Sequence, residues 1–162
     1  MWVWIVTAAA VIGFDQLTKL MVLKNISQYD TVRVIKGVID FVNVKNTGAA
    51  FSMMNNATWF LAIVSAVFCA GLVIYLIKEK PRDRLYRTGL CLMFAGAFGN
   101  GLDRVFRGYV VDFIKTVFID FPVFNIADIS IVTGAVLCII YLAFLNENND
   151  EKNSEENGKN SA

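Results

Sequence analysis

Between Trp59 and Ile77 the chain reads WFLAIVSAVFCAGLVIYLI, nineteen residues without a single charge. Wound as an α-helix at 1.5 Å per residue, such a run is roughly 28 Å long, about the depth of a bilayer's hydrocarbon core. A helix satisfies its own backbone polar groups, so this run suits lipid on every side. It predicts a membrane protein before anything else is read. Composition agrees: 56% of the 162 residues are hydrophobic and the mean hydropathy is +0.53, high for a water-soluble domain.

Three further runs fit the same reading. TGLCLMFAGAFGNGL, Thr88 to Leu102, is a second, glycine-richer span, and IADISIVTGAVLCIIYLAFL, Ile126 to Leu145, is another, with Asp128 at its start. The first run, WVWIVTAAAVIGF, reaches membrane length only by continuing past Asp15 and Lys19 to Leu23. No basic stretch precedes it, so it reads as an uncleaved span rather than a signal peptide. The expectation is an all-α membrane protein with four transmembrane helices. The loop KEKPRDRLYR, Lys78 to Arg87, carries five basic residues in ten. By the positive-inside rule it is cytoplasmic, both termini join it there, and the connections at about 24–58 and 103–124 face outward. The first connection holds DTVRVIKGVIDFVNVK, Asp30 to Lys45, an alternating Val/Ile pattern with a turn at Lys36-Gly37. A small extracytoplasmic β-sheet follows from it. Residues 1–145 form one membrane domain, and the polar stretch 146–162, NENNDEKNSEENGKNSA, is expected to be a disordered cytoplasmic tail.

The charge balance of +1 offers no surface for nucleic acid, and the chain has no histidine, which excludes Ser-His and Cys-His catalysis and histidine-based zinc sites. Cys69, Cys91 and Cys138 each lie inside an apolar run and lack metal-ligand spacing, so they read as small buried hydrophobes. No metal or cofactor is expected.

What remains are polar residues in or beside spans, which are functional candidates by default. They are Asp15 with Lys19, Asn46, Asn100 with Asp103 and Arg104, Asp112, and Asn125 with Asp128. With the topology above all lie toward the outer face. Each has a plainer reading. Asp15 with Lys19, and Asp103 with Arg107, stand at i and i+4 and suit local ion pairs. Asn125 and Asp128 have the spacing of a capping box. Asp112, between Val111 and Phe113, fits an exposed strand, and Asp120, before Phe-Pro, fits a solvated loop. In a chain without histidine, two aspartates sharing one proton are the natural acid–base pair: the ionised one takes a proton from water while the neutral one donates to a carbonyl oxygen. A serine nucleophile, Ser52 or Ser130, lacks an evident base beside it.

Five stretches in order, FDQLTK (14–19), NTGAAFS (46–52), AGAFGNGLDRV (95–105), GYVVDFI (108–114) and FPVFNIADISI (121–131), resemble the bacterial lipoprotein signal peptidases, or signal peptidase II, a family of membrane aspartyl proteases. The resemblance covers nearly the whole chain except the tail. It implies four membrane helices with an outer β-cradle, and an endopeptidase that removes signal peptides from prolipoproteins by cutting before a cysteine that carries diacylglyceryl. It implies that Asp112 and Asp128 are the catalytic pair. Asp15, Asn46, Asn100, Asp103, Arg104 and Asn125 then bind substrate or shape the site. Lipid-modified prolipoproteins and membrane lipid are the implied partners, and globomycin-type cyclic peptides the implied inhibitors. Two positions depart from the family's pattern: Gly101, usually bulky and apolar, and Ile129, often serine. A reading of another class, a small transporter or proton relay built on Asp15, Asp103 and Asp128, rests only on charges within the spans.

Overall fold

A computed structural model of the chain describes residues 2–48 and 57–145. Ser52 and the end of the NTGAAFS stretch, and the tail expected to be disordered, lie outside the described residues. In chain order the elements are α1 (Trp2–Asn25), β1 (Thr31–Ile35), β2 (Ile39–Asn46), α2 (Thr58–Glu79), α3 (Arg84–Arg107), β3 (Val110–Thr116) and α4 (Ile126–Ile140), which runs on into a π-helical turn, Tyr141–Leu145.

Among the described residues, three helices are long and apolar enough to cross a membrane: α1, α2 and Ile126–Phe144. On α2 the large side chains Trp59, Ile63, Val67 and Ile74 are all more than half exposed, as lipid-facing residues should be. The third expected span differs. It is longer than Thr88–Leu102, so Asp103 and Arg104 join Asn100 inside its last turns rather than following its end. It falls short on composition because it carries Arg84, Arg87, Asn100, Asp103, Arg104 and Arg107. It packs against α1, α2 and α4 at once, so other helices surround much of it. Asp83 caps its start by accepting the Tyr86 amide at 2.9 Å, and Gly108, at φ +77°, ends it in the left-handed conformation.

Small residues let α3 and α4 approach closely, the usual device of helices that meet in a membrane. A Cβ on Gly96 would collide with the Ala127 carbonyl oxygen, and one on Gly134 with the Gly89 carbonyl oxygen. Cys69, Cys91 and Cys138 are free and buried, as their apolar settings foretold.

The strands form one antiparallel sheet in the order β1-β2-β3. The β1–β2 hairpin is the one read from sequence. The third strand, β3, entered that reading only as an exposed setting for Asp112. It is the sequence's VVDF stretch, with Val110 through Ile114 all buried, so no exposed–buried alternation marks it. Val111, Phe113 and Ile114 of β3 join Val22 and Ile26 of α1 in a core, and Phe41 meets Phe113 edge-on at 5.5 Å. One extra residue in β2 shifts the pairing from Phe41↔Ile114 to Val44↔Asp112. Such a bulge re-aims side chains. Beyond β3 the chain loops back: Phe113 and Ile114 donate to the Phe124 carbonyl at 3.0 and 2.8 Å, and Phe124 donates to the Ile114 carbonyl at 3.1 Å. That short pairing brings Asn125 beside Asp112.

The α3–α4 contact generates a stability test. Gly96→Ala should force these helices apart and destabilise the protein by about 2 kcal/mol or more. Gly71→Ala, whose Cβ meets nothing within 4 Å, should be neutral or slightly stabilising. Thermal unfolding in detergent reads both, and equal melting temperatures for the two variants would refute the close-packing account.

Candidate active site

Asp112 and Asp128 both line a cavity of about 1030 Å³ between β2, the end of α3 and the start of α4. Strand geometry turns Asp112 toward it, since Val111 and Phe113 on either side point into the core. Asp128 stands in the first turn of α4. The capping box expected from spacing is present: Asn125 Oδ1 accepts the Asp128 amide at 3.0 Å, and Asp128 Oδ2 accepts the Asn125 amide at 3.1 Å. The Asn125 side chain does more than cap. Its Nδ2 donates to Asp112 Oδ1 at 2.7 Å, so one fully buried asparagine holds both carboxylates.

Two other asparagines complete their surroundings. Asn46 Nδ2 donates to Asp112 Oδ2 at 2.8 Å, and Asn100 Nδ2 donates to Asp128 Oδ1 at 2.8 Å. Arg104 donates to the carbonyls of Asn100 and Gly48, both at 3.3 Å, and its positive charge acts on both aspartates. Burial pushes the Asp112 carboxyl up to about 6, and the nearby Asp128 charge pushes the same way; hydrogen bonds from Asn46 and Asn125 and the Lys19 charge oppose them. Asp112 is only 3% exposed, which overturns the plain reading of it as an exposed strand residue.

Behind this layer lies a second one, and Lys19 is its centre. Its ammonium is fully buried and reaches Asp15 Oδ2 at 2.8 Å, Asp103 Oδ2 at 2.9 Å and Asn100 Oδ1 at 2.9 Å. Asp15 Oδ1 accepts the Ala127 amide at 2.9 Å, and Asp103 Oδ2 accepts the Val111 amide at 3.3 Å. Arg107 pairs with Asp103 and donates to Gln16 Oε1 at 2.9 Å, while Gln16 Nε2 donates to Asp103 Oδ1 at 3.1 Å. Both i,i+4 ion pairs read from sequence therefore form, each as part of this larger network.

Of the residues singled out, Asp112, Asp128, Asn46, Asn100 and Arg104 face the cavity, whereas Asn125, Asp15 and Asp103 stand behind it. Asp120 is exposed, as its loop setting suggested, at the cavity's rim. Sequence reasoning gave Lys19 only a local partner and missed Gln16 and Asn43. Asn43 is buried in β2 and donates to the Ile26 carbonyl at 2.8 Å. A lysine inside an apolar run was itself the available signal; Gln16 and Asn43 carried none. Ser130 donates to its own helix, at the Ile126 carbonyl, as a buried serine ordinarily does. Ile129, one of the two departures, lines the cavity wall, and Gly101, the other, lies against Ser65 of α2.

Comparison with known proteins places this geometry. A family model described as signal peptidase (SPase) II matches residues 7–144. The lipoprotein signal peptidase of Enterococcus faecalis is 37% identical over 158 residues, covering 98% of this chain and 94% of that protein. The one from Geobacillus thermodenitrificans is 40% identical over 144 residues, 88% of this chain and 90% of the other. Two solved structures, both described as bacterial membrane enzymes obtained by the in meso method, superpose with TM-scores of 0.84 and 0.82 at 36% identity. The first match covers 88% of each chain, the second 90% of this chain and 96% of the other.

Asn46 stabilises the ionised form of Asp112 by donating to it, so Asn46→Ala should raise the pH at which Asp112 loses its proton above its value near 6. Infrared titration of the carboxyl stretch reads this, with Asp112→Asn identifying the band. An unchanged or lowered midpoint would show that the hydrogen bond does not favour the charged form.

Proposed function

Since the chain belongs to the signal peptidase II family, we propose that it is an aspartic endopeptidase of the bacterial cell membrane that removes signal peptides from diacylglyceryl-modified prolipoproteins. It cuts just before the lipidated cysteine. The observation that carries this reading is the Asn125 side chain and amide, which tie Asp112 and Asp128 to one another at the wall of a single cavity.

In this reading the two aspartates share one proton. Asp112, whose carboxyl burial pushes up to about 6, carries it, and Asp128 serves as the base. Asp128 takes a proton from a water, whose oxygen attacks the scissile carbonyl carbon. Asp112 gives its proton to the carbonyl oxygen, and a tetrahedral diol forms. The diol collapses as the proton held by Asp128 passes to the departing amine of the cysteine, and the proton returns from the diol to Asp112. No covalent enzyme intermediate is needed. Arg104 and Asn100, both on the cavity wall, supply donors for substrate carbonyls, and Asn46 and Asn125 hold Asp112. Asp15 and Asp103 keep the layer behind in place. The apolar wall from Phe121 to Phe124, with Ile129 and Val132, suits the lipid of the modified cysteine.

The membrane arrangement follows. The polar helix α3 is the fourth span, sheltered by the other three. The basic loop Lys78–Arg87 is cytoplasmic with both termini, and the cavity opens at the outer face, level with the anchored diacylglyceryl group. Residues 1–145 form the peptidase domain and 146–162 a cytoplasmic tail. A cyclic lipopeptide such as globomycin inhibits by filling the cavity.

Purified protein incubated with a diacylated precursor should yield a shorter band that globomycin suppresses. Asp112→Asn and Asp128→Asn should each lower cleavage by at least a thousandfold while keeping the fold, and Asp120→Asn should cut within about threefold of the parent. Full activity in either dyad variant, or a dead Asp120→Asn, would sink the assignment.

A further inference from the structure

We propose that the end of the bundle opposite the aspartates holds an anionic phospholipid, with one acyl chain in a groove between α1, α2 and α3 and its phosphate at Lys80 and Arg87. The groove has a volume of about 760 Å³. Its walls are almost wholly apolar: Trp4, Ala8 and Ile12 from α1, Val73 and Ile77 from α2, Phe94 from α3. From Trp4 to Ile12 it runs roughly 12 Å along the helix, the length of a good part of an acyl chain. It stops before Asp15, so it shares no residue with the cavity described above.

An apolar slot alone accepts any lipid; its mouth is what selects. Lys80, Pro81 and Arg87 stand there. The Arg87 guanidinium lies 5.3 Å from the centroid of the Trp4 ring, which fixes a cation beside an aromatic residue of the kind that marks a membrane interface. Lys80 ends α2 in the left-handed conformation at φ 46°, and among the described residues it is the non-glycine residue with positive φ. Lys78 to Arg87 holds five basic residues against the acidic Glu79 and Asp83. Among the described residues, none of the five lies within ion-pair distance of a carboxylate; the ion pairs there belong to Lys19 and Arg107. Unpaired cations above an apolar slot complement a lipid with a negative phosphate headgroup, and each contributes about a fivefold preference. A free phosphate leaves the slot empty, and a water-soluble acidic protein has no chain to fill it.

Delipidated full-length protein in detergent is titrated separately with phosphatidylglycerol, phosphatidylcholine and inorganic phosphate, and bound molecules are counted by native mass spectrometry. Phosphatidylglycerol should bind at least tenfold more tightly than phosphatidylcholine. Lys80→Gln with Arg87→Gln should remove that preference without weakening phosphatidylcholine, Ala8→Trp should weaken both lipids, and Arg33→Gln on the distant sheet should change neither. Equal binding of the two lipids by the parent, a preference that survives the double substitution, or inorganic phosphate competing as well as the lipid would overturn the proposal. The parent's own preference decides the matter even if a variant fails to fold. Because the assay reads no cleavage, its outcome is separate from that of the peptidase reading.

Discussion

The rest of the site depends on one buried ammonium. Lys19 has three donors and each has an acceptor: Asp15, Asp103 and Asn100. With Arg107 the cluster holds two cations and two carboxylates, so it is electrically neutral. Taking such charges out of water is tolerable only while all partners are present, and removing one from a buried pair costs about 3–5 kcal/mol. The cluster is also a joint. Asp15 reaches from α1 to the Ala127 amide at the start of α4, and Asp103 reaches from α3 to the Val111 amide in β3. Four elements are thereby tied through side chains that tolerate little displacement.

The joint also sets orientation one layer up. Asn100 Oδ1 accepts from both Lys19 and Asn125, which leaves its amide nitrogen facing Asp128. With the amide reversed, its donors would meet the ammonium and the Asn125 donor, and its carbonyl would meet a carboxylate. The buried charge thus fixes which end of Asn100 Asp128 meets. Close packing serves the same purpose. A Cβ on Gly99 would lie 2.9 Å from Asp15 Oδ2, so the helix is smallest where the cluster must fit beside it. Glycine in α3 costs helix propensity, and that cost is offset by the approach it permits.

The parts legible in the sequence were those set by local rules. An uncharged apolar run marks α2 whatever surrounds it, the Val/Ile alternation and the Lys36-Gly37 turn mark the β1–β2 hairpin, and spacing alone gives the Asn125–Asp128 cap. What stayed hidden depends on partners far along the chain. β3 is buried on both faces between β2, α1 and the returning Phe124, so it lacks the alternation by which a half-exposed strand is known. Asp112 therefore looked exposed when it is not. The Lys19–Asp103 pair spans 84 positions, and no spacing rule reaches across it. The resemblance to a family named these residues as candidates, but the order among them, with Asn125 between the Asp112 and Asp128 carboxylates and Lys19 behind Asn100, depends on contacts between distant elements.

Asn125 and Asp128 show why a structural and a chemical reading of the same residues need not exclude each other. In this capping box the asparagine's oxygen faces the helix and the acid's oxygen turns back to the asparagine's amide. Once those two bonds form, the geometry of the rest is settled: the asparagine's NH₂ points away from the helix and the acid's second oxygen is free. Asn125 directs its NH₂ at Asp112, and Asp128 presents its second oxygen to Asn100 at the cavity wall. The cap supplies the rigidity that a pair of carboxylates drawn from distant elements would otherwise lack. It does so with a short sequence signal, an asparagine and an aspartate three positions apart at the start of a membrane helix.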